Sequence, residues 1–154
     1  MKVWRICKRK YASSAFDGVG AKRAGGRWNS RGNAVVYASD SLALSALEVL
    51  VHVTVEQQPP DLVAIPAEIP DEVTVKSYDV DEMPDGWRRV TGHVGVVRLG
   101  NQWLEAKDSA VLVVPSVVIP QEHNVLLNPQ HPQFEAVKVG EPLEFSFDER
   151  LFGG

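Results

Sequence analysis

Short apolar runs separated by turn residues dominate the hydrophobic pattern of this sequence. Residues 2–7 alternate around Val3 and Ile6, a pattern that predicts an opening strand. Further strands are predicted wherever apolar residues cluster or alternate over a short span. These segments are 34–38, 62–69, 73–78, 110–114, 134–139 and 142–147. The pattern therefore predicts an α+β fold in which strands outnumber helices.

Two segments carry a helical pattern. Over 41–53, Leu and Val side chains spread around nearly the whole circumference, which is typical of a buried helix, and Asp40 is the predicted N-cap. A weaker helix is predicted over 96–105, because Gly100 lowers the helix propensity there. The remaining long segments are predicted to be loops, and they are 8–33, 80–89 with one helical turn at Trp87, and 116–129.

Glu48 is the only acid in the first predicted helix after its N-cap. Burying a carboxylate without a partner is very unfavourable, so Glu48 must meet a basic group or face a cavity. Two interpretations stay open at this point. Glu48 is either half of a structural ion pair with an arginine or a functional acid in a cleft.

The long predicted loop 8–33 contains the run Gly25-Gly26-Arg27-Trp28-Asn29. Adjacent glycines allow close approach of the backbone to a partner, and Arg offers a fixed fork of donors for phosphate or carboxylate. Trp and Asn add a flat apolar surface and an amide. This chemistry fits a pocket for an anionic, partly aromatic small molecule. The alternative is a glycine turn followed by a surface Arg and a core Trp.

The charges are divided unevenly along the 154 residues. Residues 1–31 contain nine Lys and Arg against one acid, whereas the whole chain has a net charge of −4. Such a basic region attracts an anionic ligand, but a solvated face or a surface for an acidic protein would have the same composition. The net negative charge argues against a general nucleic-acid binder.

Composition also limits the cofactors and the compartment. The length suits a single domain over 1–154, and the lone Cys7 excludes an intrachain disulfide, as expected in the reducing cytoplasm. No apolar stretch resembles a signal peptide or a membrane span. The four histidines lack the spacing of metal ligands, so we expect no metal. Motifs for a P-loop, a dinucleotide turn and a nucleophile elbow are also missing.

Several motifs in order carry a resemblance to a known family. They are Phe16-Asp17-Gly18-Val19-Gly20-Ala21, Gly25-Gly26-Arg27-Trp28-Asn29, Val36-Tyr37-Ala38-Ser39, Leu47-Glu48-Val49-Leu50-Val51-His52, Val114-Pro115-Ser116 and the run from Glu122 to Pro132. The series resembles the RES-domain toxins of bacterial RES–Xre toxin–antitoxin pairs. The Arg, Glu and Ser that name the family correspond to Arg27, Glu48 and Ser116.

The resemblance implies an ADP-ribosyltransferase-like core, a small split β-sheet with few helices and a cleft for NAD+. It implies a toxin that cleaves NAD+ to nicotinamide and an ADP-ribose product, which depletes NAD and arrests growth. The implied partner is a helix-turn-helix antitoxin of the Xre type, whose C-terminal segment covers the active site. A homodimer within a larger complex is compatible with this resemblance, and direct nucleic-acid or membrane binding is not expected.

The resemblance also implies roles for individual residues. Arg27, Tyr37, Glu48 and Ser116 are the candidate catalytic residues, with Glu48 stabilising positive charge on the ribose. The candidate NAD+-binding residues are Arg5, Arg27, Trp28, Asn29, Arg31, Tyr37 and Asn124. An ADP-ribosyltransferase that modifies a protein is the alternative enzyme. A binding module or an RNase-like toxin that reads nucleic acid through the basic N-terminal third is the alternative from another class.

Overall fold

A single mixed β-sheet forms the centre of the fold. The computed structural model describes residues 1–91 and 93–153. Gly92 and Gly154 of the predicted 1–154 domain therefore lie outside the described residues. The strand order is β4-β5-β6-β2-β1-β3-β7, with β8 also paired to β3. Only the β4–β5 pair is parallel. The strands are β1 (Lys2–Lys8), β2 (Val36–Ser39), β3 (Leu62–Glu68), β4 (Val75–Ser77), β5 (Val111–Pro115), β6 (His123–Leu127), β7 (Lys138–Val139) and β8 (Leu143–Phe145).

The sheet opens between β1 and β2. These two strands are in register at one residue pair, Trp4 with Ser39. By contrast, β1 pairs with β3 over its whole length from Lys2 to Lys8, and β2 pairs with β6 from Val36 to Ser39. Two well-paired halves of the sheet thus meet at a narrow contact, which is the predicted split sheet.

Apolar clusters cover both faces of the sheet, because successive side chains of a strand point to opposite faces. One cluster packs under the N-terminal segments and includes Val3, Phe16, Val36, Ile65, Val111 and Leu127. The other packs against the longest helix and includes Trp28, Val96, Trp103, Leu112, Val114 and Leu126. A third, smaller cluster lies under the helix that carries Glu48 and includes Ile6, Leu62 and Ala64.

Within the described residues, three α-helices accompany the sheet, α1 (Val19–Ala24), α2 (Leu42–Leu50) and α3 (Val94–Ala106). The N-cap of α2 is Ser41, whose hydroxyl accepts a hydrogen bond from the Leu44 amide at 3.1 Å. The prediction of Asp40 was wrong by one residue, because the Asp40 carboxylate instead lies 3.7 Å from His123 Nδ1. The helix also ends three residues earlier than predicted.

The expectation that α2 is buried on all sides was also wrong. Leu44 and Ser45 are its only fully buried residues, and the other apolar side chains are partly exposed. Val51, just beyond the helix, is 56% exposed. The helix therefore covers the sheet with one face and lies at the surface, which leaves Glu48 accessible.

The predicted helix over 96–105 is present as the longer α3, and Gly100 has a packing reason. A Cβ at this position would lie 1.7 Å from the carbonyl oxygen of Trp28. Only a residue without a side chain allows α3 to approach the backbone of Trp28 so closely. Glycine therefore occurs at position 100 despite its low helix propensity, because the contact between α3 and the Trp28 backbone requires it.

Two predicted loops contain regular structure. The segment 8–33 includes a 3₁₀ helix over Arg9–Ser14 and the short α1, and 116–129 includes β6, a strand inside the sheet. Conversely, the first predicted closing strand is mostly a 3₁₀ helix, Pro132–Ala136, followed by the two-residue β7. The turn expected near Trp87 covers residues 85–88. Within the described ranges, no helix combines the length and apolar character needed to cross a membrane.

Candidate active site

Glu48 lies near the C-terminal end of α2, where two neutral side chains bind its carboxylate. Ser116 Oγ donates to Glu48 Oε1 at 2.7 Å, and Asn124 Nδ2 donates to the same oxygen at 2.6 Å. Ser116 follows β5, and Asn124 belongs to β6, the neighbouring strand. The structure therefore brings together three of the predicted site residues that are far apart in sequence.

The hydroxyl of Ser116 has its proton directed at Glu48 by the backbone. Ser116 Oγ accepts hydrogen bonds from the amides of Val118 and Ile119, at 3.0 and 3.2 Å. A hydroxyl has one proton and two lone pairs, so these two amides occupy its acceptor capacity and leave the proton for Glu48. Because Ser116 is fully buried, it acts on the carboxylate of Glu48.

Both donors bind the same carboxylate oxygen of Glu48. Across residues 1–91 and 93–153, no hydrogen bond reaches the second oxygen, Oε2. No arginine or lysine of the described chain forms a salt bridge with Glu48. The carboxylate is thus held by neutral groups and keeps an oxygen and its charge available.

A cavity of about 700 Å³ lies in front of Glu48. Arg27 and the Gly25–Gly26 turn form part of its wall, together with His52 and His93. Partial burial lowers the pKa of Arg27, while the negative charge of Glu48 acts in the opposite direction. The expected arrangement, an acid and a guanidinium on one cavity, is present.

A smaller cavity of about 150 Å³ adjoins Glu48 where the sheet opens between β1 and β2. Its wall includes Arg5, Tyr37, Ser39, Glu48 and Asn124. Glu48 therefore lines both cavities, so a ligand in either of them lies beside Glu48.

Arg27 also has a structural contact. Its Nη1 atom donates to the carbonyl oxygens of Trp87 and Arg89, at 3.1 and 2.8 Å. A guanidinium has five N–H groups, so Nη1 does not exhaust its donors. Arg27 thus ties the segment around 87–89 to the cavity wall while other donors remain for a ligand.

The phenol of Tyr37 is fixed by the glycine-rich turn. Tyr37 Oη accepts a hydrogen bond from the Trp28 amide at 3.0 Å and donates to Asn29 Oδ1 at 2.6 Å. A Cβ on Gly26 would lie 2.7 Å from Tyr37 Oη, so this position requires glycine. Burial raises the pKa of Tyr37 above its usual range, and the phenol stays neutral.

Trp28 and Asn29, both predicted to bind NAD+, are buried in the structure beside the glycine-rich turn. Trp28 is 4% exposed and stacks on Tyr78, with ring centroids 6.3 Å apart. Asn29 is 1% exposed, and its Nδ2 atom donates to three nearby carbonyl oxygens. Among the described residues, neither side chain lines the two cavities beside Glu48. The backbone amide of Trp28 and both polar side-chain atoms of Asn29 hold the turn and Tyr37.

The two remaining basic candidates lie in different environments. Arg5 is half-buried, and its Nη1 atom donates to the carbonyl oxygen of Tyr37 at 2.7 Å, across the opening of the sheet. Burial lowers the pKa of Arg5. Arg31 is exposed, and its backbone nitrogen would lie 3.6 Å from the Cβ atom of any larger residue at the position of Gly25. Arg5 therefore belongs to the smaller cavity, and Arg31 lies outside both.

His52 and His93 were considered in the sequence only as metal ligands, yet both line the larger cavity. Burial lowers the pKa of His93, and the charge of Arg27 contributes to the same shift. Over the described ranges, no group of three or more His, Cys, Asp or Glu side chains is arranged to hold a metal. No spacing in the sequence indicated that these histidines would face Glu48.

Comparison with known proteins gives the fold class first. A chain of the crystal structure of the M. tuberculosis MbcT–MbcA toxin–antitoxin complex superimposes with a TM-score of 0.76 at 15% identity. The match covers 94% of this chain and 84% of that one. The predicted ADP-ribosyltransferase-like fold is thereby confirmed.

Sequence comparison gives the family. The RES domain profile matches residues 2–148, so the chain belongs to the RES-domain family, as the ordered motifs predicted. "Toxin Res" of Yersinia enterocolitica is 36% identical over 152 residues, covering 98% of this chain and 99% of that protein. "Prs ADP-ribosylating toxin" of a Sphingobium species is 36% identical over 152 residues, covering 96% and 94%.

Proposed function

We propose that this RES-domain protein is the toxin of a toxin–antitoxin pair and that it cleaves the bond between nicotinamide and ribose in NAD+. The toxin role is supported by relatives that match over nearly the whole chain. One of them is named as ADP-ribosylating, which supports an enzyme that acts on NAD in general. The observation that carries the finer proposal is the carboxylate of Glu48, held on one oxygen by neutral donors and open on the other.

The chemistry of the bond explains why such a carboxylate is needed. Cleavage releases neutral nicotinamide and leaves positive charge on the ribose ring, as in glycoside cleavage. A fixed negative charge stabilises this transition state more than the ground state, which is the condition for catalysis. Water then adds to the ribose carbon and releases a proton, so the products are nicotinamide, ADP-ribose and H+.

Positioning of Glu48 is the role that the geometry supports for Ser116 and Asn124. Both donate to Glu48 Oε1, so they fix the carboxylate and leave Oε2 directed away from them. Neutral donors orient the acid without cancelling its charge, whereas an arginine at the same distance would neutralise it. Ser116, one of the candidate catalytic residues, is therefore proposed to act through Glu48.

Arg27, Tyr37 and Arg5 are proposed to bind the substrate. Arg27 lies on the larger cavity with Glu48, and its free donors suit the pyrophosphate or a ribose hydroxyl. Tyr37 and Arg5 line the smaller cavity, where the ring of Tyr37 offers a surface for nicotinamide. These placements put the anionic part of the dinucleotide near arginines and the scissile bond near Glu48.

The acceptor of the ADP-ribosyl group separates the two candidate enzymes. The same site would transfer ADP-ribose to a protein if a side chain replaced water. The relative named as an ADP-ribosylating toxin favours keeping this alternative. With NAD+ labelled in its adenosine part and a cell extract, hydrolysis leaves the label on free ADP-ribose, and transfer leaves it on a protein band.

An antitoxin partner is proposed from the structural neighbour, which is a toxin–antitoxin complex. We propose a helix-turn-helix protein of the Xre type whose C-terminal segment covers the cavity of Glu48. Co-expression with the adjacent gene's product, followed by purification, would show whether the two chains bind. Nicotinamide release by the complex should then be lower than that by the free chain.

The direct test of the function is nicotinamide release from NAD+ by the purified full chain. We expect release by the wild type, and its loss in Glu48→Ala and in Arg27→Ala. Glu105→Gln, which changes an exposed acid on α3, is the matched control and should keep wild-type activity. If the folded wild type releases no nicotinamide with or without cell extract, the proposal is wrong. Salt-sensitive RNA binding or cleavage instead would favour the nucleic-acid alternative.

A further inference from the structure

The amide of Asn124 is held by hydrogen bonds at both ends, and the second bond comes from Ser39. Its Nδ2 atom donates to Glu48 Oε1, and its Oδ1 atom accepts a hydrogen bond from Ser39 Oγ at 2.8 Å. An amide can present either its oxygen or its nitrogen to a neighbour with almost the same shape. Only one of these orientations gives Glu48 a donor. The other would place two acceptors against each other.

Ser39 is held beside Asn124 by the backbone of the sheet. It is the last residue of β2, and it lies opposite Asn124 in the antiparallel pairing of β2 with β6. On its other side it lies opposite Trp4, at the single register pair that joins β1 to β2. Directly opposite residues of two antiparallel strands have side chains on the same face. The Ser39–Asn124 contact therefore follows from the strand register.

Burial keeps this hydrogen bond in place. Ser39 is 3% exposed, so water cannot readily replace its hydroxyl as the donor to Asn124. The carboxylate of Glu48 only accepts, so it takes the nitrogen of the amide, and Ser39 holds the oxygen at the other end. A chain of three hydrogen-bonded side chains thus leads from the narrow contact of the sheet to the carboxylate.

We infer that Ser39 is a positioning residue of this site: its hydroxyl fixes the amide of Asn124, which in turn keeps Glu48 Oε1 bound and Oε2 directed to the substrate. The inference deepens the proposed function and rests on it. Ser39 lies in the motif Val36-Tyr37-Ala38-Ser39, but no role was assigned to it from the sequence. It acts through Asn124, and its effect should appear in turnover.

Ser39→Ala removes the donor and lets the Asn124 amide turn. We expect kcat for nicotinamide release to fall about 10-fold to 100-fold. Losses of this size are typical when a hydrogen bond that orients a ligand residue of a metal site is removed, and the bond from Ser39 orients Asn124 in the same way. KM for NAD+ should change by less than about 2-fold, because the substrate contacts themselves are kept. Ser39→Thr retains the hydroxyl and should restore kcat to within about 3-fold of wild type.

Ser109→Ala is the matched control. Ser109 is also a buried serine, its hydroxyl donates to the carbonyl oxygen of Val111 at 3.1 Å, and its side chain is not among the described residues that line the two cavities beside Glu48. Loss of this bond should lower Tm by about 2–4 °C while kcat stays within about 2-fold of wild type. Unchanged kcat in Ser39→Ala, or an equal loss of kcat in Ser109→Ala, would overturn the inference.

A measurement without NAD+ separates this inference from the proposed function. In ¹⁵N-labelled protein, the side-chain amide signals of Asn124 should move in Ser39→Ala and return in Ser39→Thr. Signals that do not move in Ser39→Ala contradict the role of Ser39, whatever the activity. Absence of nicotinamide release by the wild type would instead refute the function. If Ser39→Ala does not fold, Ser39→Cys, a weaker donor of similar size, replaces it, and wild-type kcat in that variant refutes the inference.

Discussion

Replacement of Glu48 by glutamine isolates the charge of the carboxylate from its packing. Gln has the same shape, and its side-chain oxygen can accept the hydrogen bonds that Ser116 and Asn124 now donate to Glu48 Oε1. The neutral amide nitrogen then takes the position of Oε2. Because both donors keep an acceptor, we expect Tm to change by no more than about 3 °C. This corresponds to a change of less than about 1 kcal/mol in the free energy of unfolding.

The catalytic loss follows from the lost electrostatic interaction. A full negative and a full positive charge about 4 Å apart attract by about 4 kcal/mol at an effective dielectric constant of about 20. The transition state carries only part of a positive charge, so about 2–4 kcal/mol is the expected loss. At about 1.4 kcal/mol per factor of ten, kcat of Glu48→Gln should fall about 30-fold to 1,000-fold.

The assay is the initial rate of nicotinamide release, followed by chromatography, together with a thermal melt of each variant. Glu105→Gln makes the same chemical change at an exposed position of α3 and should match the wild type in both measurements. A folded Glu48→Gln protein with more than about half of the wild-type kcat would refute charge stabilisation by Glu48. A large drop in Tm would instead show that the carboxylate has a structural role.

Three further predictions concern stability. Gly100→Ala should cost about 3 kcal/mol or more in urea unfolding, because its Cβ would lie 1.7 Å from the Trp28 carbonyl oxygen. Gly20→Ala, where a Cβ meets nothing within 4 Å, should be neutral or stabilising, and equal losses would contradict the packing argument. Ser41→Ala should lower the free energy of unfolding by about 1 kcal/mol, because it removes the N-cap of α2. An equally large effect of Asp40→Ala would contradict the assignment of Ser41 as the N-cap. Burial raises the pKa of Tyr37 in the folded state, so the folded protein favours the neutral phenol. The contribution of this phenol to the free energy of unfolding is therefore complete below its usual pKa of about 10 and declines as the pH rises above that value. The urea midpoint of the wild type should therefore fall between pH 8 and pH 10.5 by more than that of Tyr37→Phe, and parallel curves would refute this.

Strands and helices were predicted correctly wherever the hydrophobic pattern agreed with local propensity. They were not predicted where polar side chains of the candidate site lie within them. The strand β6 was predicted as a loop because Asn124 and Asn128 are typical turn residues. In the structure, Asn124 faces inward to Glu48, and the apolar Val125 to Leu127 are fully buried in the sheet. An asparagine that binds Glu48 thus interrupted the pattern by which a strand is recognised.

The site was predictable in its residue types but not in its contacts. Glu48 and Ser116 are separated by 68 positions, so no spacing rule relates them, and only the resemblance to a family placed them together. For Asn29 the chemistry of the side chain alone does not distinguish a ligand contact from a contact within the fold. An amide suits a ligand and a backbone carbonyl equally well, and the fold uses Asn29 for the latter.

The two interpretations of Glu48 that the sequence left open lead to different surroundings for its carboxylate. A structural ion pair would place a guanidinium in contact with both oxygens, and the nearest candidates are Arg27 and Arg5. Arg27 instead uses its Nη1 atom on two carbonyl oxygens, and Arg5 uses its Nη1 atom on the carbonyl of Tyr37.

Neutral donors hold Glu48 in place, and the nearby arginines are held by backbone groups. Each charge is therefore fixed in position without being neutralised by the other. Holding unlike charges apart on one cavity gives up most of their mutual attraction in the free protein. It is favourable for a ligand that carries both signs, such as a dinucleotide with an anionic pyrophosphate and a ring that becomes cationic. The arrangement of hydrogen bonds around Glu48 thus favours the functional interpretation over the structural one.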